Sequence, residues 1–150
     1  MNRLEAFVRE SNRIEGIHRD PSAYEIGATR EFIEYPAIVT ASLQDLVAVY
    51  QPDAKLRDRR GLDVRVGSHI APRGGPEILV ALEDLIDAIH DDRVTPFEAH
   101  VAYETLHPFT DGNGRSGRAL WLWMMWNQHN ALPALGFLHT FYYQTLGAQR

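Results

Sequence analysis

Apolar residues recur at helical spacing along most of the chain. Leu4, Phe7, Val8, Ser11 and Ile14 share one face of a predicted helix that runs to about Glu15, where Gly16 is a natural stop. Ser22 and Glu25 form a capping box just after Pro21 and open a second helix, with Tyr24, Ala28 and Phe32 on one face. Pro36 ends or kinks that helix. Leu43, Leu46, Val47 and Tyr50 mark a third, ended before Pro52. Ile78, Leu79, Leu82, Leu85, Ile86 and Ile89 give a strongly amphipathic fourth. Thr95, Pro96 and Glu98 combine an N-cap, a first-turn proline and a capping glutamate, so a fifth helix should run to about Leu106.

Two segments break this pattern in opposite directions. Residues 54–75 hold five arginines, four glycines and a short alternation, Leu62-Asp-Val64-Arg-Val66, which predicts a small hairpin or extended flap. The helix predicted from Arg115 to about Gln128 is apolar nearly all round. Trp121, Leu122, Trp123, Met124, Met125 and Trp126 cannot share one side, so this helix should lie at the centre of the core rather than present a stacking surface. After Pro133 and Gly136, Leu138–Leu146 predicts a last short helix. With no linker, repeat or low-complexity stretch, residues 1–150 read as one all-α (mainly α) domain with a small β-hairpin flap.

Composition narrows the chemistry. The 150 residues are 45% hydrophobic and 23% charged, ordinary for a soluble globular chain large enough to bury a core. Cysteine is absent, which excludes a thiol nucleophile, a disulfide framework and a cysteine zinc site. A net charge of −5 argues against general nucleic-acid binding. The N-terminus carries Glu5 and Glu10 and does not resemble a signal peptide; the longest apolar run, Ala119–Trp126, is too short to span a bilayer. A cytoplasmic setting and no membrane partner are the expectation. His18, His69, His90, His100, His129 and His139 show no metal-ligand spacing. Arg57, Arg59, Arg60, Arg65 and Arg73 read equally well as solvated surface or as target docking.

The chemistry concentrates between the fifth and sixth predicted helices, in His107-Pro-Phe-Thr-Asp111-Gly-Asn-Gly114-Arg-Ser-Gly-Arg118. Gly112 and Gly114 permit a tight turn and close backbone approach to a ligand. The following helix aims its unpaired N–H groups and positive dipole end into the loop, an anion site. Arg115 and Arg118, about one turn apart, can lean over one anion. A carboxylate beside bound phosphates, Asp111, calls for a bridging cation, and Mg²⁺ fits. His107 supplies an imidazole able to accept a proton near neutral pH. Together these suit attack by a hydroxyl on a phosphate. Gly112–Gly117 also matches the dinucleotide pattern G-x-G-x-x-G. That pattern needs a preceding strand and a later acidic residue, yet the preceding segment is predicted helical and no Asp or Glu follows Asp111.

The segment resembles the Fic family signature H-x-F-x-[D/E]-G-N-G-R-x-x-R at every specified position. The likeness extends through Arg57-Asp58, Val64–Gly67 and Pro72–Pro76, which are similar to the family's flap region, and covers most of residues 40–135. The resemblance implies transfer of AMP from ATP to a Ser, Thr or Tyr hydroxyl of a target protein. On that pattern His107 deprotonates the hydroxyl, Phe109 anchors the loop, and Asp111 holds Mg²⁺. The backbone of Gly112, Asn113 and Gly114, with the Asn113 amide, forms an anion hole. Arg115 contacts the phosphates and Arg118 grips the γ-phosphate. The flap residues Val64, Arg65, Val66 and Gly67 align the target by strand addition.

Ser11-Asn-Arg-Ile-Glu15-Gly16 also resembles the family's inhibitory motif, [S/T]-x-x-x-E-[G/N]. Ser11 and Glu15 lie one turn apart, so residues 1–16 would form a built-in N-terminal inhibitory helix whose Glu15 pairs with Arg118. Two alternatives stay open: removal of AMP by the same site with Glu15 positioning water, or a silent domain that only binds nucleotide or partner. The resemblance also allows a homodimer.

Overall fold

The computed structural model describes residues 2–129; the helix expected at Leu138–Leu146 lies outside them. Six helices and one two-stranded hairpin make up the described residues: α1 (Arg3–Ile14), α2 (Ala23–Glu34), α3 (Thr40–Tyr50), β1 (Arg65–Val66), β2 (His69–Ile70), α4 (Pro76–His90), α5 (Pro96–Leu106) and α6 (Asn113–His129). The mainly-α expectation with a small hairpin therefore holds. Among the described residues no helix is long and apolar enough to cross a membrane.

Helix ends follow local chemistry. Ser22 and Thr95 each accept from the backbone N–H three residues on, while Glu25 and Glu98 return the bond to the cap's own N–H. Gly16, at φ +83°, takes the left-handed position that ends α1 and leaves Glu15 at its C-cap. Tyr35 caps α2 immediately before Pro36, as the proline requires.

Helix α6 packs against α1, α2, α3 and α5, the central place its apolar surface demands. Leu120, Leu122, Trp123 and Met124 are buried in one core with Leu4, Phe7, Phe32, Leu43, Leu82 and Tyr103. The Trp123 indole donates to the Tyr35 carbonyl at 2.9 Å, so its one polar atom is satisfied inside. Helix α6 starts at Asn113, two residues before the expected Arg115.

Two further differences have clear causes. On α2 the buried face is Glu25, Thr29, Phe32 and Ile33, and Tyr24 is 70% exposed. Polar partners from α1, α3 and the α1–α2 turn turn this helix by about one residue. Asn12 and Arg19 hold Glu25, and Tyr50 meets Thr29. In the flap, ladder pairing is confined to Arg65 with Ile70 and Val66 with His69, so Val64 precedes the strand. Gly67, at φ +58°, supplies the left-handed turn between the two strands.

Candidate functional site

The residues of the candidate loop, His107–Arg118, gather between the C-terminus of α5 and the N-terminus of α6. His107 is the C-cap of α5 and sits in the left-handed region, at φ 52° and ψ 64°. Its Nδ1 lies 2.8 Å from the Glu104 carbonyl. A carbonyl only accepts, so Nδ1 carries the proton and Nε2 is the ring's basic nitrogen. The half-buried imidazole is thereby fixed in one tautomer and one orientation.

From there the chain is pinned at each step. Phe109 is 1% exposed and pairs with Leu56 in an isolated antiparallel bridge. Thr110 and Lys55 exchange bonds at 2.9 Å in both directions. Asn113 closes the loop: its Oδ1 accepts from the Phe109 N–H at 2.9 Å, and its Nδ2 donates to the Phe109 carbonyl at 2.7 Å. The Asn113 amide, expected in an anion hole, is thus engaged with the loop backbone. Asp111 is exposed, and its Oδ1 accepts from the Gly112 N–H at 2.8 Å. Gly112, at φ +79°, makes the left-handed turn that brings the chain into α6. The first N–H groups of α6 have no acceptors within the helix.

The two arginines diverge. Arg115 is buried with its guanidinium 4.8 Å from the centre of the Tyr50 ring. Burial pulls its pKa down, and the nearby Glu15 charge partly restores it. Arg118 is buried too and turns to α1. Its Nε donates to Ser11 Oγ at 2.7 Å, and one terminal nitrogen donates to the Ser11 carbonyl at 3.0 Å and to Glu15 Oε2 at 2.6 Å. Ser11, Glu15 and Arg118 therefore meet as the resemblance to the inhibitory motif implied, although 107 and 103 residues separate the partners. A Cβ added at Gly114 would collide with the Glu15 carboxylate, so a larger residue there would push that side chain aside.

Below the loop, α5 and α6 are joined by buried polar groups. Ser116 Oγ donates to the Gly112 carbonyl at 2.8 Å, so the Tyr103 hydroxyl donates to Ser116 at 2.7 Å. Burial pushes the Tyr103 phenol far above its ordinary pKa, which keeps it a donor. His100 Nδ1 donates to the Gly117 carbonyl at 2.9 Å. A Cβ at Gly117 would strike the Glu104 carboxylate and the Tyr103 ring, so both neighbours would have to shift to accept one.

Arg57 is where the sequence reading needs correction. It is neither solvated nor a surface docking group but fully buried, at 0% exposure. Its guanidinium donates to four carbonyls: His107 at 2.6 Å, Leu106 at 2.8 Å, Pro72 at 2.8 Å and Leu62 at 3.0 Å. Burial lowers its pKa and the charge of Asp63 opposes the shift. Arg59 and Arg60, its close neighbours, are exposed, and nothing local distinguishes the three. The flap residues Arg65 and Ile70 form an exposed outer pair, with Val66 and His69 facing the other way. His69 Nε2 lies 3.0 Å from the Thr105 carbonyl, tying the hairpin to the last turn of α5.

A search of the curated proteins and one of the solved structures each returned no match. The family model described as Fic/DOC family matches residues 6–125, from within α1 to within α6. That span takes in the loop from His107 to Arg118, its clamps and the flap, and the chain belongs to the Fic/DOC family.

Proposed function

We propose that the protein transfers AMP from ATP to a hydroxyl of a target protein and that Glu15 holds it in check. Members of the family are typically transferases. The observation that carries the reading is one short loop with a tautomer-fixed imidazole at one end and a helix N-terminus with two arginines at the other.

His107 Nε2 takes the proton of the target hydroxyl as its oxygen bonds to the α-phosphorus. The bond from that phosphorus to the bridging oxygen breaks, and pyrophosphate leaves. The α6 N-terminus and the backbone at Gly112–Gly114 balance the phosphate charge. Arg115, in the first turn of α6, would add to that field, and Arg118 would take the γ-phosphate once released from Glu15. An exposed carboxylate beside a phosphate site suits a hard cation with oxygen ligands, so Asp111 would hold Mg²⁺, which would neutralise phosphate charge. The flap aligns the target's backbone beside β1.

The Glu15–Arg118 contact supports autoinhibition, because one guanidinium cannot grip both a carboxylate and a γ-phosphate in the same way. A competing charge-assisted contact worth a few kcal/mol suppresses turnover by about 10–1000-fold. The test is full-length Glu15→Gly with Mg²⁺ and α-labelled ATP. Self-modification should rise above wild type, and His107→Ala in that background should abolish it. A folded but inactive Glu15→Gly protein would sink the proposal. The Glu15 side chain is also partly exposed, with its carboxylate beside Gly114, which favours a second reading in which it orients water and the site removes AMP. An AMPylated protein incubated with wild type separates the two readings. Nucleotide binding without any turnover would point instead to a silent binding domain.

A further inference from the structure

The C-terminus of α5 leaves four carbonyls without partners in the helix. Each receives a donor. The His107 ring serves Glu104, the His69 ring serves Thr105, and Arg57 serves both Leu106 and His107. Three of the four donors come from the flap region, and the fourth is the imidazole itself. Arg57 then reaches onward to Leu62 and Pro72, which flank the hairpin on either side. Its own backbone continues the link: its N–H donates to the Pro108 carbonyl at 2.8 Å, and its carbonyl accepts from the Gly75 N–H at 2.9 Å. His107 meanwhile holds a left-handed conformation that residues with a β-carbon rarely adopt, and such a conformation persists only where its surroundings over-determine it.

We propose that Arg57 and His69 are positioning residues that register the target-docking flap against the catalytic imidazole. The flap and His107 share one set of clamped carbonyls, so a strand laid on the hairpin arrives at a fixed distance from Nε2. Arg57 sets the height of both hairpin legs and holds the carbonyl of the left-handed histidine. His69 fixes the hairpin's tilt over α5. Neither side chain touches the reacting atoms. The effect falls on alignment of the hydroxyl and leaves nucleotide binding alone. The inference rests on the transferase reading above for its activity readout.

The test is made in full-length protein carrying Glu15→Gly, with His69→Ala, His69→Gln and Arg57→Lys added singly. Three quantities are read: the initial rate of self-modification from α-labelled ATP, the Kd for a fluorescent ATP analogue with Mg²⁺, and amide hydrogen exchange. His69→Ala should slow transfer by about 10–100-fold, the scale on which small misplacements act. The Kd of the analogue should change by less than about twofold, on the same alignment argument. His69→Gln, whose amide can still donate to Thr105, should recover most of the rate. Arg57→Lys should follow the His69→Ala pattern, because a single ammonium cannot bridge four carbonyls in a plane. A transfer rate unchanged in His69→Ala, or a parallel loss of analogue binding, overturns the inference. If Glu15→Gly itself transfers nothing, the transferase reading falls and exchange alone decides. Faster exchange at 107–110 as well as 62–72 in His69→Ala upholds the registration, and a change confined to 62–72 refutes it.

Discussion

Replacing Glu15 by alanine should weaken the fold while tightening its hold on ATP. Alanine avoids the extra backbone freedom of glycine, so the effect reports the side chain alone. The Arg118 side chain is 3% exposed and that of Glu15 is 37% exposed, with 2.6 Å between them. Breaking a fully buried pair costs about 3–5 kcal/mol, and an exposed pair contributes about 0–1 kcal/mol. A pair with one partner partly in water falls between, at about 1–2 kcal/mol, because Arg118 keeps its bonds to the Ser11 hydroxyl and carbonyl. For a chain of this size that corresponds to a Tm lowered by about 2–8 °C. The same free energy no longer has to be overcome when a γ-phosphate claims Arg118, so Mg-ATP should bind about 5–30-fold tighter. At saturating nucleotide the tighter binding offsets the lost pair, and the gap in Tm should close. Thermal melting with and without Mg-ATP, paired with isothermal titration calorimetry, measures both. A variant that melts with wild type and binds ATP at the wild-type Kd would refute the reasoning, since the pair would then compete with nothing.

Other expectations follow from single contacts. Arg57→Met should leave the carbonyls of Leu62, Pro72, Leu106 and His107 without their charged donor and destabilise the protein by about 3–5 kcal/mol, read as a shifted urea midpoint. Gly117→Ala should force α5 and α6 apart at Glu104 and Tyr103, costing about 1–3 kcal/mol and lowering transfer in the Glu15→Gly background; a melting curve and the labelled-ATP assay check the two effects. Burial favours the neutral form of Glu25, but bonds from Arg19 and Ser22 outweigh it and bring its pKa down to about 2. A carboxylate depressed on folding stabilises the native state above its unfolded pKa and loses that contribution as pH falls toward its folded value. Wild type should therefore lose up to about 2–3 kcal/mol between roughly pH 5 and pH 2 on this account, and Glu25→Gln should show a shallower fall in acid melting series.

The contrast between Ser11–Glu15 and Arg57 shows what was legible in the chain and what was not. Properties set within one helical turn could be read directly. They include the capping boxes at Ser22 and Thr95, the left-handed stop at Gly16, the common face of Ser11 and Glu15, and the glycine turn before α6. Each depends on backbone geometry that a few neighbouring residues impose on one another, so the sequence by itself determined them, together with the all-round apolar surface that sends α6 to the centre. Folding alone decided the rest. It set the outward turn of Tyr24, the short register of the hairpin, the Asn113 amide closing its own loop, and the burial of Arg57 among carbonyls from residues 62, 72, 106 and 107. A backbone carbonyl is the same at every position, so no residue type announces that four of them will converge on one guanidinium. Only chain segments far apart in sequence, packed against each other, create that need.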